Sequence, residues 1–136
     1  MKRRILLVED NPATREMLIL ELKHLGYEAI TAKNGLEAVE LALSELPDLI
    51  IMDMLMPQMN GFQAVSEIRK NPSTHDILIL AATAKAMPGD RGNCLAAGCD
   101  DYLAKPFTHK ELAIHIKELF EKNGLRAVGK ETPSDR

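Results

Sequence analysis

The sequence predicts an α/β domain: a parallel sheet with helices on both faces. Three observations predict it. Short apolar runs alternate with longer amphipathic segments through the chain. Five such strand–helix units follow one another in a regular rhythm. Several of the runs are continuously apolar, as expected of strands covered on both faces.

The elements follow in order. Ile5-Leu6-Leu7-Val8 is the first strand. Asn11 is placed to cap a helix that has Pro12 at its favoured first position. Leu18, Leu22 and Leu25 give that helix an i, i+4, i+7 stripe, and Gly26 ends it. Tyr27 to Thr31 reads as the second strand. Asn34 caps a second helix, with Glu37 three residues on as in a capping box, a buried stripe of Ala38, Leu41 and Ala42, and Pro47 as its stop. Leu49 to Met52 is the third strand. The turn-rich Met56-Pro57-Gln58-Met59-Asn60-Gly61 leads to a helix carrying Phe62, Val65 and Ile68, which Asn71-Pro72-Ser73 breaks. Ile77 to Ala82 is the fourth strand.

Residues from about Pro88 to Ala97 form a weaker helix, with Gly89 and Gly92 in or near it and Gly98 as its C-cap. Asp101 to Ala104 is a short fifth strand. Thr108-His109-Lys110-Glu111 is a second capping box, opening a helix with Leu112, Ile116 and Leu119 on its core face. Asn123-Gly124 is expected to end it. The domain is therefore assigned to residues 1–124, and residues 125–136, which lack periodicity, to a disordered tail or linker stub.

Composition narrows the function. The 136 residues suit one domain, 46% are apolar and 27% charged, and the net charge is −3. No basic footprint for direct nucleic-acid binding is present. No apolar run is long enough to span a bilayer, and the run after Lys2-Arg3-Arg4 stops at Glu9, too early for a signal peptide. A cytoplasmic location is expected. Cys94 and Cys99 form no C-x-x-C pair; five positions apart on a helix they would face different ways, as two buried free thiols. His24, His75, His109 and His115 show no i, i+4 pair, which argues against a His-based metal site.

Open parallel sheets carry their sites beyond the carboxyl ends of the strands, where strand order reverses. Glu9-Asp10 follow the first run, Asp53 the third, Thr83-Ala84 the fourth and Lys105-Pro106 the fifth. The second end, Thr31-Ala32-Lys33, carries less, as an edge strand would. Three converging carboxylates would repel and raise one another's pKa, a cost that a hard divalent cation removes. Taken singly, each residue also has a plain reading: acids ahead of a helix N-terminus, a turn threonine, a surface lysine. Asp100-Asp101 stand at the opposite edge and read as structural or solvated. Met54, Met56 and Met59 read as loop and core packing.

Together, and in this order, Glu9-Asp10, Asp53, Met56-Pro57-x-Met59-Asn60-Gly61, Thr83-Ala84 and Lys105-Pro106 closely resemble the receiver domains of two-component response regulators, of the chemotaxis-regulator-like kind. The resemblance covers about residues 3 to 122. It implies a flavodoxin-like doubly wound sheet of order 2-1-3-4-5. It implies that Asp53 accepts a phosphoryl group from a histidine kinase or a histidine phosphotransfer protein, with Mg²⁺ (or Mn²⁺) held by Asp10, Asp53 and the Leu55 carbonyl. Glu9 would act through metal-bound water or directly; the family more often has Asp there. Lys105 would stabilise the phosphoryl oxygens, with a cis bond to Pro106, and Thr83 would donate to one of them.

Tyr102 holds the place of the aromatic switch residue, and Leu55 and Lys85 hold the positions that tune phosphoryl lifetime. Output would run through the face formed by the fourth helix, fifth strand and fifth helix, to an output protein not named by the sequence. The chain would not be a turnover enzyme beyond its own phosphorylation and dephosphorylation. Alternatives are a piece of a larger regulator or hybrid kinase, and a receiver that only docks. An aspartyl phosphohydrolase would need a second acid near Asp53, where Met54-Leu55-Met56 stand. A flavodoxin-like cofactor binder would need a Gly-rich loop where Glu9-Asp10-Asn11-Pro12 stand.

Overall fold

Alternate residues of the central strands enter two separate cores, one on each side of a single sheet. The computed structural model describes residues 2–56, 59–84 and 89–131. The elements run β1 (Arg4–Val8), α1 (Pro12–His24), β2 (Glu28–Ala32), α2 (Gly35–Glu45), β3 (Leu49–Asp53), α3 (Gly61–Lys70), β4 (Leu78–Thr83), α4 (Asp90–Ala97), β5 (Asp101–Ala104) and α5 (His109–Glu131). The five strands form one parallel sheet in the order β2-β1-β3-β4-β5. Leu6, Val8, Ile50, Met52, Ile79 and Ala81 face α2, α3 and α4. Ile5, Leu7, Leu49, Ile51, Leu78 and Leu80 face α1 and α5. Burial on both faces explains why the three central runs carry no polar alternation.

The helix starts are fixed by side chains. Asn11 accepts from the Thr14 N–H at 3.0 Å and Asn34 from the Glu37 N–H at 2.8 Å. The Glu37 carboxylate reaches back to the Lys33 N–H, one residue before the usual capping-box partner. Reciprocal boxes close at Asn60–Gln63 and at Thr108–Glu111. By contrast, α4 starts at Gly89 with no side-chain cap.

Three details differ from expectation. Helix α5 passes Asn123-Gly124 and continues to Glu131. A glycine inside a helix costs only about 1 kcal/mol relative to alanine, and the following Leu-Arg-Ala are good helix formers. Residues 132–136 lie outside the described residues. Cys94 and Cys99 do not face apart: both are buried in the same core. Gly98, at φ 118°, ends α4, and the chain turns so that the Cys99 N–H donates to the Cys94 carbonyl at 3.1 Å. Finally, β2 and β4 each begin one residue later than the apolar pattern suggested. Among the described residues no helix is long and apolar enough to cross a membrane.

Candidate functional site

Strand order reverses between β1 and β3, which places the crevice at their carboxyl ends. Register fills it. Val8 pairs with Met52, so the next residues, Glu9 and Asp53, come out abreast. Asp53 pairs with Ala82, and Thr83 with Ala104, which brings Thr83 and Lys105 to the same edge. The Lys105 N–H donates to the Thr83 carbonyl at 2.8 Å. The Lys105–Pro106 bond is cis.

One carboxylate oxygen from each of Glu9, Asp10 and Asp53 lies within 4.8 Å of the others. Glu9 is 3% exposed and Asp53 6%, while Asp10 is open to solvent. Two backbone donors steady the buried pair: the Leu55 N–H on Asp53 Oδ1 at 3.0 Å and the Asn11 N–H on Glu9 Oε2 at 3.2 Å. Arg15 holds the Glu9 carbonyl at 2.9 Å. Lys105 Nζ is 2.5 Å from Glu9 Oε1 and 3.8 Å from Asp53 Oδ2, so the ammonium pairs with the first acid rather than the third. Burial is the largest influence on Asp53 and pushes its carboxyl up to about 6. The Leu55 N–H and Lys105 pull it down, and the charges of Glu9 and Asp10 add to the rise.

Three carboxylates and one ammonium leave a surplus of negative charge. All the donors are hard oxygens, which fits Mg²⁺ or Mn²⁺ and not a thiolate- or imidazole-seeking ion.

The other predicted positions fall as follows. Thr83 is buried at the end of β4, beside the acids. Leu55 is 48% exposed and turns its side chain to solvent. Tyr102 lies outside the acidic crevice, half-buried against the α2–α4 core, and its hydroxyl is buried with no hydrogen-bond partner among the described residues. Lys85, with Pro57 and Gln58, lies outside the described residues. Met54 and Met56 are core residues. Asp100 is structural: it accepts from the Ile79 N–H at 2.8 Å and from Arg69 at 2.9 Å.

Arg15 and Gly35 escaped the sequence reading, and Gly61 was quoted there only as part of the loop motif. Arg15 gives no signal, because its target is a main-chain carbonyl. Gly35 and Gly61 are required by close approach: a Cβ on Gly35 would stand 2.3 Å from the Met59 carbonyl oxygen, and one on Gly61 would stand 2.6 Å from Met54 Cα and 2.8 Å from the Asp53 carbonyl oxygen. Gly61 therefore lets α3 begin directly against the end of β3 that carries Asp53.

Fold and site define a doubly wound α/β domain with an acidic cluster that could hold a cation at its switch point. The chain belongs to the response regulator receiver domain family, whose sequence model matches residues 5–117. It is 36% identical over 126 residues, 93% of this chain, to the probable transcriptional regulator ycf27 of Guillardia theta, and covers 48% of that protein. It is 36% identical over 128 residues to the phosphate regulon transcriptional regulatory protein PhoB of Escherichia coli, covering 94% of this chain and 56% of PhoB. The chain thus spans about half the length of the curated relatives it matches. Among solved structures, the receiver domain of the sensor histidine kinase PA1611 from Pseudomonas aeruginosa is 40% identical. It superposes with a TM-score of 0.81 over 88% of this chain and 98% of that one, and it holds a magnesium ion in its active-site cleft.

Proposed function

We propose that Asp53 is a phosphoacceptor and that its modification switches the contacts this domain makes with other proteins. The convergence of Glu9, Asp10 and Asp53 within 4.8 Å, with Lys105 against them, carries the reading. An Asp53 carboxylate oxygen attacks phosphorus in line. The bond from phosphorus to the donor's imidazole nitrogen breaks, and the nitrogen keeps the electron pair. The donor is a histidine kinase or histidine phosphotransfer protein, met in the cytoplasm. Asp10, Asp53 and the Leu55 carbonyl would hold Mg²⁺, with Glu9 direct or through water. Bound there, the ion neutralises the acids and the charge on the phosphoryl oxygens.

Lys105 leaves Glu9 and turns its ammonium to the new phosphoryl oxygens. Thr83 donates its hydroxyl to one of them. Tyr102 changes rotamer as Thr83 moves, and the α4–β5–α5 face presents the result to an output partner. Leu55 offers no group that could orient an attacking water, so self-dephosphorylation is slow; Lys85 is the second tuning position. The reaction is self-modification, not turnover of a substrate.

The test is incubation with acetyl phosphate, with and without Mg²⁺, read by intact mass. One added phosphoryl group on the parent with Mg²⁺, and none on Asp53→Asn, is expected. Labelling that survives Asp53→Asn, or that ignores Mg²⁺ removal, overturns the reading.

A further inference from the structure

A second set of potential metal ligands lies between two helices, apart from the acidic cluster. A groove of about 610 Å³ separates α1 from the start of α5, and Glu21, His24 and His109 all line it. Glu21 and His24 sit three residues apart on α1, hence on one face. That is the spacing by which a carboxylate and an imidazole on one helix share a metal ion in helical bundles. His109 opens α5 across the groove, with Nδ1 3.2 Å from Glu21 Oε1. Two ligand atoms about 2.0–2.1 Å from a tetrahedral ion stand about 3.3 Å apart, so this pair already has ligand spacing.

The other Glu21 oxygen, Oε2, is buried with no hydrogen-bond partner among the described residues. A carboxylate oxygen in that condition is costly, and a bound cation would satisfy it. The His24 side chain is exposed, with no hydrogen bond or ion pair among the described residues; its ring nitrogens do not converge on the other two ligands as placed, so it serves as a third ligand by turning inward.

We propose that Glu21, His24 and His109 form a binding site for a borderline transition-metal ion of the Zn²⁺ type, which staples α1 to the beginning of α5. Two imidazoles and one carboxylate suit Zn²⁺ and disfavour Mg²⁺, so the site is chemically distinct from the all-oxygen cluster at the sheet edge. Lys110 lines the same groove, so directed lone pairs, not a general negative field, must supply the selectivity.

The experiment is Zn²⁺ titration of the full chain by calorimetry, under excess Mg²⁺ to fill the acidic cluster. Visible absorption of bound Co²⁺ reports coordination geometry. One Zn²⁺ per chain is expected. His24→Ala and His109→Ala should each weaken it at least tenfold, and Asp53→Asn should leave it unchanged. Both histidines are exposed, and far-UV circular dichroism will show that their variants fold. No Zn²⁺ uptake under excess Mg²⁺, uptake indifferent to both histidine variants, or uptake abolished by Asp53→Asn overturns the proposal.

Discussion

At the amino-terminal edge of the sheet, Arg69 donates to the Gly98, His75 and Ile77 carbonyls at 2.9, 2.7 and 2.6 Å and to Asp100 at 2.9 Å. Arg4 there reaches Glu28 and both the carbonyl and the carboxylate of Glu45, while its N–H meets Asp48 at 2.7 Å. At the carboxyl-terminal edge, three acids crowd around one lysine, and the most buried aspartate is driven toward its neutral form. Both edges are charged; at the first each acid is met by a donor of its own, while at the second the acids converge on one another. A network in which each acid has its own donor fixes a scaffold, whereas a convergence of acids stores a demand that a cation can meet.

The contrast can be broken at either end. The largest effect belongs to Arg69→Ala. It strands Asp100 and several carbonyls at once, so we expect a loss of about 3 kcal/mol in urea unfolding. Gly61→Ala comes next. Its methyl would collide with backbone at the end of β3, costing about 2 kcal/mol and weakening Mg²⁺ binding, measured by titration on the folded fraction.

Asp53→Asn runs the other way. The Asp53 carboxyl titrates near 6 in the folded chain against an ordinary value of 3.8. The folded state therefore holds that proton more tightly, and stability from this group is full below about pH 4 and is lost as pH rises through 6. Without divalent cations, Asp53→Asn should be more stable than the parent by about 1–2 kcal/mol at pH 7.5, allowing for solvent screening, with the gap closing toward pH 4. Adding Mg²⁺ should raise the melting temperature of the parent more than that of the variant. An equal rise in both would show that the acids are not strained. Smallest is Lys70→Ala, which removes an exposed i, i+3 pair with Glu67 and should change stability by less than about 0.5 kcal/mol.

Legibility in the sequence followed the same divide. Ile5–Val8, Leu49–Met52 and Ile77–Ala82 announced buried strands, because a strand covered on both faces needs no polar alternation. The acids, the threonine and the lysine were readable because each ends or closely follows a strand. What escaped depends on approach between elements distant in the chain. Arg15 recognises a carbonyl, Gly35 is demanded by Met59, and Glu21 meets His109 only because α1 and α5 share one side of the sheet. Spacing along the chain encodes none of these. Lys105 resting on Glu9 is likewise a balance of distances, 2.5 against 3.8 Å, that no motif specifies.

The pairing of Val8 with Met52 has a further consequence. Adjacent strands stand about 4.8 Å apart, so the hydrogen-bond ladder itself acts as the gauge that sets the gap between Glu9 and Asp53. Loops can lengthen or change composition without altering that measure. A slip of one residue between β1 and β3 would turn one acid to the opposite face, so the calibration is either whole or lost.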